Sequence, residues 1–144
     1  MDHLETRNLI KKELVDTHCH LYLEEFSADL SQVLERAEKA GIQRIYMPAI
    51  DGNHQGLMEK MQKTYVDRCY SMLGLHPCYV NADYQSELKR IYESIGGGNY
   101  VAVGEIGLDY YWSREFDKEQ MIAFREQIAL ARAYTLPIVI HSRN

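Results

Sequence analysis

Cysteine, proline and tryptophan are scarce in these 144 residues, at three, three and one, and the 16 Lys and Arg are outnumbered by 21 Asp and Glu. The formal charge of −5 excludes a chain-wide basic field that would attract nucleic acid or anionic lipid, so any such contact has to be local. Cys19, Cys69 and Cys78 cannot all pair and show no C-x-x-C spacing, which excludes a disulfide framework and fits a reducing compartment. No apolar run approaches the length that spans a bilayer. The start, Met1-Asp2-His3-Leu4-Glu5-Thr6-Arg7, has no cationic stretch followed by an apolar core, so no secretory signal is evident. A soluble, cytoplasmic protein without a membrane partner is expected.

With 46% hydrophobic residues the chain can bury one core. Residues 1–13 read as a polar leader and 14–144 as one domain. Apolar segments at 14–18, 42–50, 69–75, 101–107 and 136–141 predict five strands, with Pro48 and Pro77 closing the second and third. The last run is nearly continuous, as in strands covered on both faces. Four helices are predicted between them. The first starts at Ser27, with Leu30, Val33, Leu34 and Ala37 at helical spacing and Gly41 as its stop. The second follows the loop Asp51-Gly52-Asn53 and buries Leu57, Met58 and Met61. The third covers 83–95. In the fourth, Asp117 and Gln120 form a capping box ahead of a face of Met121, Phe124, Ile128 and Ala131.

Strict alternation of strand and helix predicts an α/β fold with a parallel sheet. A doubly wound sheet would carry a glycine-rich phosphate loop after the first strand, and His18-Cys19-His20-Leu21 offers none. A TIM-barrel-like fold better explains the polar residues. His18, His20, His76, Glu105 and His141 all fall at the carboxyl ends of predicted strands, where such barrels carry their functional groups.

The most telling pair is His18 and His20. On a strand, residues two apart point the same way, so two imidazoles converge while Cys19 turns away into the core. Two imidazoles on one rigid segment suit a borderline divalent metal. Glu105, between Gly104 and Gly107, can bind or bridge ions, and His141 repeats the pattern on the last strand. Together they form an N,N,O,N donor set for zinc- or manganese-like ions, with Glu105 and solvent also acceptable to Mg2+. The expected chemistry is metal-assisted hydrolysis. Each histidine also has a plain reading as a strand-end polar residue, and Glu105 as a buried acid satisfied by backbone N–H groups or an arginine.

Four blocks carry a resemblance: Val15-Asp16-Thr17-His18-Cys19-His20-Leu21, Gly74-Leu75-His76-Pro77, Val103-Gly104-Glu105-Ile106-Gly107-Leu108-Asp109-Tyr110-Tyr111, and Leu136-Pro137-Ile138-Val139-Ile140-His141-Ser142-Arg143. From Leu14 onward the chain resembles the TatD-type metal-dependent hydrolases. The resemblance implies a (β/α)8 barrel, here its first five strands and four helices. It implies one or two divalent ions (Mg2+, Mn2+ or Zn2+) held by His18, His20, Glu105 and His141. His18 and His20 would bind one ion, His141 the other, and Glu105 would bridge as the catalytic carboxylate. It further implies phosphodiester hydrolysis of DNA, commonly as a 3′–5′ deoxyribonuclease. About three more strands, a further histidine and a late aspartate that orients the attacking water belong to the family pattern and have no counterpart here. Two alternatives follow: a catalytically impaired remnant that only binds metal, and an amide or ester hydrolase on the same barrel.

Around this set, His76 and Arg143 are candidate phosphate-binding residues, and each also reads as an ordinary loop or chain-end residue. Asp109 reads as a residue that holds a loop or a ligand. Tyr110, Tyr111 and Trp112 read as loop packing or as a stacking surface for a base. His3 and His54 have no recognisable context. Without the remaining strands, Val15, Val101, Val103 and Ile138 or Val139 are expected to lack partners, and the isolated chain to self-associate.

Overall fold

The computed structural model describes residues 13–144; apart from Glu13, the leader expected at 1–13 lies outside the described residues, as does His3. Five parallel strands, β1 (Leu14–Asp16), β2 (Ile42–Met47), β3 (Cys69–Leu73), β4 (Ala102–Asp109) and β5 (Ile138–Arg143), stand in the sheet in chain order. Helices α1 (Leu30–Lys39), α2 (Gly52–Thr64), α3 (Tyr84–Ile95) and α4 (Asp117–Ala133) provide the crossovers. This is the architecture the alternating pattern predicts, amounting to a little over half of an eight-stranded barrel.

The helices cover one face. Leu34, Ile45, Met47, Met58 and Met61 form one core cluster beside β2, with Cys19 packed against it and therefore turned inward as expected. Leu73, Ile91, Val103, Ile106 and Leu130 form the second, between β3, β4, α3 and α4. Val103 is thus fully buried against helices and needs no opposite barrel wall, contrary to the expectation. On the outer strands the expectation of missing partners holds for Val15 and Ile138, which are 43 and 36% exposed, while Val101 and Val139 are half-buried; Leu14 and Ile140 are exposed as well. For β5 this overturns the reading of a strand covered on both faces among the described residues.

Local differences have local causes. Gly41, at φ 94°, turns the chain out of α1, as its position predicts. The predicted loop at 51–53 is instead the start of α2, because Asp51 accepts the backbone N–H of His54 as its N-cap. Leu57 faces outward at 50% exposure, and Met121 is also exposed. Asp117 and Gln120 form no capping box, since no side chain caps α4. Gln120 is buried and grips the backbone of Asp109: Asp109 N–H donates to its Oε1 at 2.8 Å, and its Nε2 donates to Asp109 O at 2.9 Å. Gln127, two turns on, holds Leu75 in the same way at 2.7 and 3.3 Å. α4 thereby fixes the ends of β3 and β4, next to His76 and Asp109.

Candidate metal centre

β1 ends at Asp16, so the alternation that would pair His18 with His20 belongs to a loop and not to a strand. The two imidazoles converge all the same. Their ring centroids lie 5.2 Å apart, and Cys19 N–H donates to Tyr46 O across the β1–β2 gap at 3.1 Å, which holds the loop in place. Glu105 lies inside β4, which runs on to Asp109, and not at a strand end. Gly107 explains how β5 sits so close to it. At φ 144° a Cβ on this residue would stand 1.9 Å from the carbonyl oxygen of His141.

Glu105 is the hub. Its Oε2 lies 3.1 Å from His18 Nε2 and 3.8 Å from His20 Nε2; its Oε1 lies 3.2 Å from His141 Nδ1 and 3.8 Å from His76 Nε2. The carboxylate is buried, and among the described residues its close ionisable partners are all imidazoles, with no Lys or Arg paired to it.

The hydrogen bonds on the far side of each ring fix the tautomers. Tyr22 Oη donates to Pro48 O at 2.6 Å, so toward His20 Nδ1, at 2.8 Å, it can only accept. His20 therefore carries its proton on Nδ1 and turns a lone pair toward Glu105. Asp109 Oδ2 lies 2.7 Å from His141 Nε2, which puts that proton on Nε2 and again leaves the lone pair facing Glu105. Lone pairs facing a carboxylate across 3.2 and 3.8 Å repel unless a cation lies between them, and this is the arrangement that metal ligands adopt. His76 differs. Its Nδ1 accepts the Cys78 backbone N–H at 3.1 Å, so its Nε2 carries a proton and faces the site as a donor.

Electrostatics reinforce this division. Burial, and then the charge of His18, push His20 below the ordinary imidazole range, and burial takes His76 down to about 4. Both are neutral at pH 7. Burial raises the Tyr22 phenol, which keeps its proton. Burial opposes ionisation of Asp109, but donors from His141, the Cys78 thiol and the Tyr111 and Trp112 N–H groups outweigh it and hold the acid at about 2. The Cys78 sulfur also comes within 4.8 Å of His76 and His141 nitrogens, yet burial and Asp109 push its thiol up to about 11.

The TatD related DNase family matches residues 15–144. The chain belongs to that family. It is 37% identical over 131 residues to the uncharacterized metal-dependent hydrolase YabD of Bacillus subtilis, covering 91% of this chain and 51% of YabD. It is 29% identical to the 3′-5′ ssDNA/RNA exonuclease TatD of Yersinia pseudotuberculosis, covering 91% and 50%. The crystal structure of the TatD homologue YjjV of Escherichia coli superposes with a TM-score of 0.78 at 34% identity, covering 91% of this chain and 51% of that one. The chain thus spans about half the length of the relatives it matches.

Within this TatD-family chain the fold brings His18, His20, Glu105 and His141 together, with His76 beside them. Arg143 is less direct. Its guanidinium lies 4.1 Å over the Tyr111 ring and 5.5 Å from Trp112. Sequence reasoning missed Tyr22, which holds His20, and Cys78, whose N–H holds His76; neither belongs to a spacing pattern. His54, left without context, pairs with Asp51 at 2.6 Å.

Proposed function

We propose that this chain carries the metal-binding part of a divalent-metal-dependent phosphodiesterase acting on DNA, of the 3′–5′ deoxyribonuclease type. The observation that supports this most is the hub at Glu105: one buried carboxylate whose two oxygens each meet a different imidazole lone pair, at 3.8 Å for His20 and 3.2 Å for His141. In this reading His18 and His20 would hold one ion and His141 the other, with Glu105 as a carboxylate ligand available to both. A divalent ion, Mg2+, Mn2+ or Zn2+, supplies Lewis acidity toward a phosphoryl oxygen and a nucleophile from water at neutral pH.

The chain's own residues prepare that chemistry. Tyr22 and Asp109 hold protons on the outer nitrogens of His20 and His141 and keep the inner lone pairs free. His76, a neutral N–H donor, binds a non-bridging phosphate oxygen, and Arg143 supplies positive charge at the rim. The exonuclease name of the Yersinia relative favours a nucleic-acid substrate over an amide or ester. Three free cysteines accord with a cytoplasmic site of action, and no helix among the described residues is long and apolar enough to cross a membrane.

The test is release of nucleotides from single-stranded DNA with Mn2+ or Mg2+, compared with Glu105→Ala and run beside amide and carboxylic-ester substrates. Metal-dependent release lost in Glu105→Ala supports the proposal. Metal binding without turnover supports the remnant reading. Turnover of the amide or ester alone reassigns the bond.

A further inference from the structure

We infer that Trp112 is the stacking platform of a nucleobase subsite beside the candidate metal centre, an inference that rests on the phosphodiesterase reading above. Three observations carry it. First, Trp112 is 71% exposed and Tyr111 56% exposed, so this aromatic stretch is not packed as a loop core. Large apolar rings left in solvent at the rim of a site mark a binding surface.

Second, the loop is tied to the metal centre through one carboxylate. Asp109 Oδ1 accepts the backbone N–H groups of Tyr111 and Trp112 at 3.0 and 3.4 Å, while its other oxygen holds His141. The indole also borders a small recess with Pro77 and Cys78, directly after His76. The platform is therefore held in fixed relation to the residue assigned to bind phosphate.

Third, Arg143 lies over Tyr111 and only at the margin of Trp112, at 4.1 and 5.5 Å, while the two rings meet edge to face at 4.9 Å. One face of Tyr111 is occupied by Arg143, and the larger and more exposed indole remains available with a guanidinium beside it. A base that stacks on Trp112 places its phosphate within the influence of that cation. The charge balance gives stacking its weight. At a net charge of −5 the chain gains little affinity from a general attraction to phosphates, so local contacts, with the base as well as with the phosphate, carry more of it.

Trp112 is the single tryptophan in the sequence, so fluorescence excited selectively at tryptophan, to the red of the tyrosine absorption, reports on this position alone. The experiment titrates the metal-free protein with a short oligothymidylate and with an abasic oligomer of the same length and charge. Saturable quenching by oligothymidylate, absent with the abasic oligomer, is expected. Anisotropy of a labelled oligothymidylate should report about tenfold weaker binding in Trp112→Leu and near-complete recovery in Trp112→Phe, the scale of one stacked base. Equal binding of the two oligomers, or unchanged affinity in Trp112→Leu, overturns the inference. Since no metal or turnover is involved, failure of the hydrolase reading leaves these readouts intact, and the converse also holds.

Discussion

Asp109 Oδ2 stands 2.7 Å from His141 Nε2, and the same carboxylate receives the N–H groups that begin the Tyr111–Trp112 loop. One buried acid therefore sets both the tautomer of a candidate ligand and the position of the rim. In Asp109→Asn, an amide NH2 facing His141 forces Nε2 to accept and moves the ring proton to Nδ1, where it blocks the lone pair facing Glu105. Metal affinity measured by calorimetry should fall about 10- to 100-fold. Unchanged affinity would show that His141 does not bind through Nδ1.

Glu105→Gln keeps the size of the side chain and removes the charge between the imidazoles. Its loss of metal affinity should exceed that of Asp109→Asn, because it removes a ligand and not a ligand's support. If titration of the variant matches the wild type, Glu105 is structural.

Acid should destabilise the metal-free fold in two stages. His76 is ordinary, near 6.5, when unfolded and about 4 when folded, so between these values the unfolded chain binds more protons. Stability is full above about pH 6.5 and falls toward pH 4, with His20 adding in the same direction. Asp109, held near 2, loses its contribution below its unfolded value of about 3.8. Urea midpoints across this range measure the effect. In His76→Gln the upper stage should shrink; an unchanged profile would assign it to other groups.

Gly107→Ala places a methyl group 1.9 Å from the His141 carbonyl oxygen at a backbone angle that side chains resist. Loss of stability of about 2 kcal/mol or more is expected from denaturant unfolding, together with weaker metal binding as β5 shifts. A neutral substitution would mean that β4 and β5 stand further apart than 1.9 Å implies.

The polypeptide Met1–Asn144, prepared alone, should self-associate through Leu14, Val15, Ile138 and Ile140, which its own helices leave exposed. Sedimentation velocity across a concentration series measures this. A monomer at all concentrations would show that the exposed strands are tolerated in water.

The clustering of His18, His20, Glu105 and His141 was legible because parallel strands in an α/β fold bring their carboxyl ends to one rim, and these residues lie near that rim in sequence. The route differed, since His18 and His20 meet through a loop beyond Asp16. What stayed hidden depends on contacts remote in sequence. Gln120 looked like a capping residue because local spacing says nothing of Asp109, eleven residues back, whose backbone needed both a donor and an acceptor in the core. The roles of Tyr22 and the Cys78 N–H were hidden for a related reason. Each depends on which nitrogen of a ring is occupied, and that is decided by atoms such as Pro48 O that carry no sequence signal.

The sheet order, identical to chain order, bears on how the centre forms. Each strand pairs with the one made just before it, so the sheet can grow by local additions at small entropic cost per step. The centre obeys a different rule. It needs the loop after β1 and the residue that β5 contributes, at opposite edges of the arc, with Glu105 between them. An ion bound there would act as a clasp between β1 and β5, across the three strands that separate them. Metal affinity would then report on the pairing of all five strands and not on any one of them.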